Sequence, residues 1–180
     1  MSFIEILLIA FSLSADASGV STCKGIAVNK IKIIDALKIG LYFGIFQMLM
    51  PILGYYLGRS ILKEIFKYSN YITFILLFII GIRMISDAKN NKTINDIINT
   101  KELLVLAIAT SLDAFAIGIA FSINNIRVLL PSTIIGIITF ILSFTCFIIG
   151  NKIGLKWQTK SLIVSGIILI LLSLKSLFNI

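Results

Sequence analysis

Residues 128–151 read VLLPSTIIGIITFILSFTCFIIGN, a stretch without a single charged side chain. A helix of about 20 apolar residues crosses the ~30 Å hydrocarbon core of a bilayer, and this stretch is long enough to do so. Working outward, Ile39–Gly58 is a second such run, and the charges gather in short clusters between apolar segments. Of the 180 residues, 58% are hydrophobic and 13% charged, whereas a soluble domain carries about a quarter charged residues. A soluble core this apolar would lack the polar surface to cover it. The reading is an all-α, polytopic membrane protein.

Six spans fit the pattern: Phe3–Cys23, Ala36–Gly58, Tyr68–Ser86, Leu103–Asn124, Leu129–Gly150 and Ser161–Phe178. The start, Met1 to Glu5, has no basic n-region, and the first apolar stretch contains Asp16. The first span therefore reads as a permanent helix and not as a cleaved signal. The third and sixth spans each carry a cation near the end, Arg83 and Lys175, placed to snorkel to the interface.

The connections are short, so the positive-inside rule applies. Lys24, Lys30, Lys32, Lys38, Arg83, Lys89, Lys92, Lys101, Lys152, Lys156 and Lys160 fall on one side; Arg59, Lys63, Lys67, Arg127 and Lys175 fall on the other. The richer side is assigned to the cytoplasm, which leaves both termini outside. The net charge of +8 thus serves topology and anionic headgroups. No basic stripe interleaved with aromatics is present, so the expected partner is the bilayer and not nucleic acid.

The polar stretch 88–101, read as a cytoplasmic linker, divides the chain into residues 1–87 and 102–180. The halves resemble each other. Ser14-Ala15-Asp16-Ala17 recurs as Ser111-Leu112-Asp113-Ala114 at an offset of 97, and Gly40, Gly54 and Gly58 recur as Gly136, Gly150 and Gly154 at 96. Three spans per half is an odd number, so the second half enters from the opposite face. Two inverted three-helix repeats of this kind place a transport site near the midplane. They are expected to pack as one bundle.

An ionised carboxylate at the bilayer centre costs about 2.5–3.5 kcal/mol on insertion scales, so Asp16 and Asp113 call for an explanation. Asp16 shares a helix face with Ser12, Gly19 and Cys23, and Asp113 with Ala109, Ala116 and Ala120. Small-residue faces let helices approach closely. The expectation is that the two faces meet, bringing the carboxylates together beside Ser14, Thr110 and Ser111. The competing reading is that each aspartate caps a broken helix or pairs with Arg83. Converging carboxylates repel unless a cation or a proton sits between them.

Carboxylate, hydroxyl, amide and carbonyl oxygens suit hard divalent ions. Gln47, an amide in an otherwise apolar span, could ligate such an ion or bond a neighbouring helix. Met48 and Met50 read first as packing, with a softer-metal role as the alternative. The chain has no histidine and no phosphate loop, and Cys23 and Cys146 do not form a metal or disulfide spacing. No nucleophile triad is present. An enzyme is not expected, nor a resident cofactor. Exporting a divalent ion against 100 mV costs about 4.6 kcal/mol, so export needs a coupling ion, for which protons carried by the aspartates are the natural choice.

Residues 109–118, Ala-Thr-Ser-Leu-Asp-Ala-Phe-Ala-Ile-Gly, resemble the signature of the MntP-like manganese efflux pump family. So do Gly44–Gly54, similar to a second-helix FGxFQxxMPxxG pattern, Gly81–Ile85, similar to G-x-R-M-I, and the Lys24-Gly25 pair. The resemblance covers nearly the whole chain in order. It implies a six-helix bacterial inner-membrane exporter whose transported substrate is Mn²⁺, with Asp16 and Asp113 essential. The first motif departs from the family pattern: Ser18-Gly19 stands where an aromatic and a small residue are usual. The alternatives are an exporter of another cation or small solute, and a non-transporting membrane protein of the sporulation-associated branch that shares the Ser-Leu-Asp-Ala repeat.

Overall fold

The computed structural model describes residues 3–28, 32–57, 74–75, 78–79, 82, 85–86 and 99–178. Five helices are labelled here: α1 (Phe3–Ala27), α2 (Ile33–Leu57), α3 (Thr100–Thr110), α4 (Leu112–Ile123) and α5 (Leu129–Phe178). The described positions between 74 and 86 are helical too, and Phe74 stacks on Phe78 one turn later with ring centroids 5.3 Å apart. The rest of the expected third span, Arg83 and residues 88–98 of the expected linker lie outside the described residues. Among the described residues there is no strand, and four stretches are long and apolar enough to cross a membrane: Phe3–Ala27, Ile33–Leu57, Thr100–Ser122 and Leu129–Ile153.

Two expectations need correction. The fourth span is not one helix: it breaks at Ser111, whose φ of −105° and ψ of 2° leave the helical region. The fifth and sixth spans, expected to be separate, lie on a single run of helical backbone from Leu129 to Phe178. The polar stretch Asn151–Lys160 contains no proline and only one glycine, Gly154. Its lysines, leucine and glutamine are good helix formers, so polarity alone does not end the helix there.

The burial pattern is that of a membrane bundle. Large apolar side chains point outward, including Phe3, Leu8, Phe11, Leu41, Ile45, Ile137 and Leu171. A soluble protein rarely exposes so much contiguous apolar surface. Small and hydroxylic residues are buried instead: Ser14, Ser21, Ser132, Thr139 and Ser143 are each 0% exposed. Two apolar clusters stabilise the interior. One joins Ala17, Val20, Ile39, Phe43, Leu106 and Phe147 with their neighbours; the other joins Ala10, Leu13, Ala114 and Ile135.

Contacts along the helices fix their directions. Ser14 meets Thr139, and Thr22 and Gly25 meet Gly150 and Phe147, so α1 and α5 run parallel. Gly40 approaches Phe140 while Met48 approaches Gly136, so α2 and α5 run antiparallel. Lys24 near the end of α1 pairs with Glu102 in the first turn of α3 at 2.5 Å. Further on, Gly54 and Pro51 near the end of α2 meet Phe115 and Gly118. The α3–α4 segment therefore runs along α2 and opposite to α1. Helix α1 packs mainly on α5, and α2 on both α4 and α5.

Glycine makes these approaches possible. A Cβ at Gly118 would overlap the carbonyl oxygen of Pro51, and one at Gly54 would overlap that of Phe115. Since the obstacle is backbone, it cannot swing aside as a side chain could. Replacing Gly118 by Val should destabilise the protein by about 1–3 kcal/mol, as expected for overpacking. Thermal unfolding in detergent should register the loss as a lower Tm, while Ile137→Val at an outward position 60% exposed stays near wild type.

Candidate functional site

The polar residues of the interior are sorted by how they satisfy themselves. In lipid, an unpaired hydroxyl costs free energy, and a helical serine or threonine has a ready acceptor in the carbonyl of residue i−4. Ser14 donates to Ala10 O at 2.6 Å, Ser18 to Ser14 O at 2.7 Å, Thr22 to Ser18 O at 2.8 Å and Thr110 to Leu106 O at 3.0 Å. Ser14 Oγ and Thr139 Oγ1 are also 2.8 Å apart. Because the one Ser14 proton goes to Ala10, Thr139 is the donor across the α1–α5 seam.

Gln47, on α2, reaches the same turn of α1. It is 1% exposed, and its Nε2 donates to Leu13 O at 2.8 Å. Its Oε1 has no hydrogen-bond partner among the described residues. One turn on, Pro51 sits inside α2 and lacks the N–H that would bond the Gln47 carbonyl. Leu13 and Asp16 are three residues apart and share a side of α1. The structure thus brings Ser14 and Gln47 to the turn that carries Asp16, which is itself half-buried.

The second motif is built differently. Thr110 ends α3, and Ser111 turns its hydroxyl back to Ile108 O at 3.1 Å. Ser111 makes no side-chain cap to α4. Asp113 stands in the first turn of α4 and its Oδ1 accepts from Ala114 N at 2.7 Å, where the helix dipole favours a negative charge. A carboxylate at a helix break is therefore what α4 displays. Asp113 is exposed, whereas Thr110 and Ser111 are buried. Both Asp16 and Asp113 have interaction partners of their own. Ala114, beside Asp113, packs in the same apolar cluster as Leu13, so the two motif segments approach one region of the bundle.

The small-residue faces expected to carry this approach do so only in part. Ser12 and Ala120 are exposed, and the tight contacts of α1 run through Ser14, Thr22 and Gly25. Met48 and Met50 are packing groups: Met48 lies over Gly136, and Met50 against the Leu13–Ala114 cluster. A groove of about 180 Å³ at the α2–α5 crossing, lined by Leu41, Gly44, Ile45, Met48, Gly136, Ile137 and Phe140, is wholly apolar and offers an ion nothing. Among the described residues no three His, Cys, Asp or Glu side chains lie together as a metal-binding group.

Sequence reading missed Asn151. Its Nδ2 donates to Gly25 O at 3.2 Å and also to Val28 O, covering carbonyls that the end of α1 leaves free. An asparagine just past an apolar run was the available signal.

The family model described as "Putative manganese efflux pump" matches residues 30–177. The chain belongs to that family. Curated relatives carry the name "Putative manganese efflux pump MntP". One from Acetivibrio thermocellus is 45% identical over 99% of this chain and 92% of its own length; one from Methanosphaera stadtmanae is 43% identical over 98% and 99%. A third, from Clostridium perfringens, is 40% identical over 99% and 95%. No solved structure matches. As a member of the manganese efflux pump family, the chain is a multi-pass membrane transporter and not an enzyme. The matched region holds Asp113 and Gln47 but starts beyond Asp16, which only the full-length relatives cover.

The Ser14–Thr139 bridge gives a stability test. A double-mutant cycle with Ser14→Ala and Thr139→Ala, read by thermal unfolding, should return a coupling of about 1 kcal/mol. Zero coupling would mean that the two hydroxyls do not bond in the folded protein.

Proposed function

We propose that this chain is a secondary transporter exporting Mn²⁺ across the bacterial cytoplasmic (inner) membrane, coupled to another ion, through a midplane site that includes Asp16 and Asp113. Ser14, Thr110, Ser111 and Gln47 supply neutral oxygens around the carboxylates. The observation that carries the reading is Gln47: a buried amide fixed by one bond to the α1 backbone, with its oxygen left over on the turn bearing Asp16. Carboxylate, hydroxyl and amide oxygens suit a hard divalent ion, and the relatives' names supply manganese and the outward direction.

Inverted repeats of the first two spans in each half are part of this proposal; the continuous α5 does not divide into the separate fifth and sixth spans that full three-helix repeats need. What supports them is helix direction, since α3–α4 runs opposite to α1 while their sequences share the Ser-x-Asp-Ala motif. Packing supports them too. Pro51 lies over Gly118 as Phe147 lies over Gly25, and Gly54 meets Phe115 as Gly150 meets Thr22. In both comparisons the second-helix residues differ by 96, the offset of the sequence repeat. The first-helix residues differ by 93, against 97 for the motif, a difference of about one helical turn. In this arrangement the linker 88–101 is cytoplasmic and the N-terminus is outside. Efflux costs about 4.6 kcal/mol per Mn²⁺ at 100 mV, which an inward proton flux through the carboxylates can meet.

Expression in a manganese-sensitive strain lacking its own exporter tests the reading. Wild-type protein should lower cellular manganese and restore growth, and Asp16→Asn or Asp113→Asn should each abolish both effects at equal expression. Unchanged manganese with wild-type protein would point to another cation, a small solute or a non-transporting role. Full activity in both variants would keep export and remove the aspartates from the site.

A further inference from the structure

The offset of 96 that relates α2 to α5 maps Gln47 onto Ser143. The match extends beyond sequence, because backbone contacts of Pro51 and Phe147, and of Gly54 and Gly150, obey the same offset. Ser143 is 0% exposed and Gln47 1% exposed, and each has a side-chain oxygen without a hydrogen-bond partner among the described residues. Ser143 shares this with the buried Ser21 and Ser132, and of the three only Ser143 falls at the position equivalent to Gln47. Ser14, Ser18, Thr22, Thr110 and, on the same helix, Thr145 all return their hydroxyls to a backbone carbonyl one turn back. Ser143 has the same option and does not take it. It stands one turn beyond Thr139, which reaches across to Ser14, so its hydroxyl lies on the same close-packed α1–α5 seam, level with Ser18.

We propose that Ser143 is a second neutral oxygen donor of the ion path, holding in one half the place that Gln47 holds in the other. Serine is three heavy atoms shorter than glutamine. At the equivalent position it does not span to a backbone carbonyl as Gln47 does to that of Leu13. The two donors are at different depths. Helices α2 and α5 cross antiparallel near Gly44 and Gly136, and each donor lies beyond the crossing in its own chain direction. Gln47 bonds at Leu13 of α1 and Ser143 lies level with Ser18, so at 1.5 Å per residue they are separated by about 7 Å along the bundle. A divalent ion would then meet one uncharged oxygen station on each side of the crossing. Neutral donors replace part of the hydration shell without the deep trap that a second carboxylate would create.

The inference rests on the manganese reading, and the test separates the two. Equilibrium Mn²⁺ binding to the purified full-length protein is followed by loss of the free-ion EPR signal, alongside Tm, for wild type, Ser143→Ala and Ser143→Thr. Removing a buried hydroxyl that bonds nothing in the protein should not lower the Tm. Ser143→Ala should therefore keep or raise the Tm while weakening Mn²⁺ binding about tenfold, the lower end of what loss of even an outer-shell partner costs a metal site. Ser143→Thr, which keeps the oxygen, should bind nearly as wild type. Unchanged Mn²⁺ affinity in Ser143→Ala would overturn this inference alone, as would equal loss in both variants. A wild-type protein that binds no Mn²⁺ would overturn the manganese reading and this inference with it.

Discussion

Helices in a bilayer gain nothing from the hydrophobic effect when they associate, because lipid tails are as apolar as leucine. The fold therefore depends on contact between backbones. Four glycines carry that contact, Gly25 and Gly150 between α1 and α5, and Gly54 and Gly118 between α2 and α4. At each, the neighbouring carbonyl occupies the space a Cβ would need. Dispersion between closely matched surfaces then does what water exclusion does in a soluble core. The large side chains, freed from the interior, face the lipid.

Close approach of small residues also decides the fate of the polar groups. A seam built of Ser, Thr and Gly has hydroxyls every turn, and the membrane offers them no water. Most bond to their own helix, which leaves the helix nearly as apolar to its neighbours as before. Ser14 and Thr139 bond across the seam, and Asn151 covers the end of α1. Against this background of self-satisfied groups, Gln47 Oε1 and the hydroxyls of Ser21, Ser132 and Ser143 stand out as buried and unpartnered among the described residues. A chain of the manganese efflux pump family has reason to keep uncommitted oxygens inside.

The break at Ser111 gives the two motifs different local structure. Asp16 belongs to an unbroken helix, and Asp113 to the first turn of a new one. On the inverted-repeat reading, the one-turn difference between the motif offset of 97 and the contact offset of 93 follows from the same asymmetry. A shift of about one turn leaves a helix face unchanged and alters only depth. The same small residues can then serve as the contact surface in either register.

The amino-acid sequence alone determined four of the membrane spans, the family, the two aspartates and the unusual amide at Gln47. The spans follow from composition within a window, because a segment partitions into lipid on its own hydrophobicity, and the family from a resemblance carried by motifs that are each read within one helix. The break at Ser111 was legible only as the competing reading of an aspartate capping a broken helix, since Thr110–Asp113 has no proline or glycine to announce it. The unbroken helical backbone of α5 through Asn151–Lys160 was not legible. Which faces meet was decided only by the tertiary structure. Ser12, Ser14, Ser18 and Ser21 are chemically alike, and so are Ser132, Thr139 and Ser143. Only the crossing of α1 with α5 chooses Ser14 for Thr139, exposes Ser12 and buries Ser143. Small-residue faces look the same along every helix, and their pairing is set by long-range backbone fit.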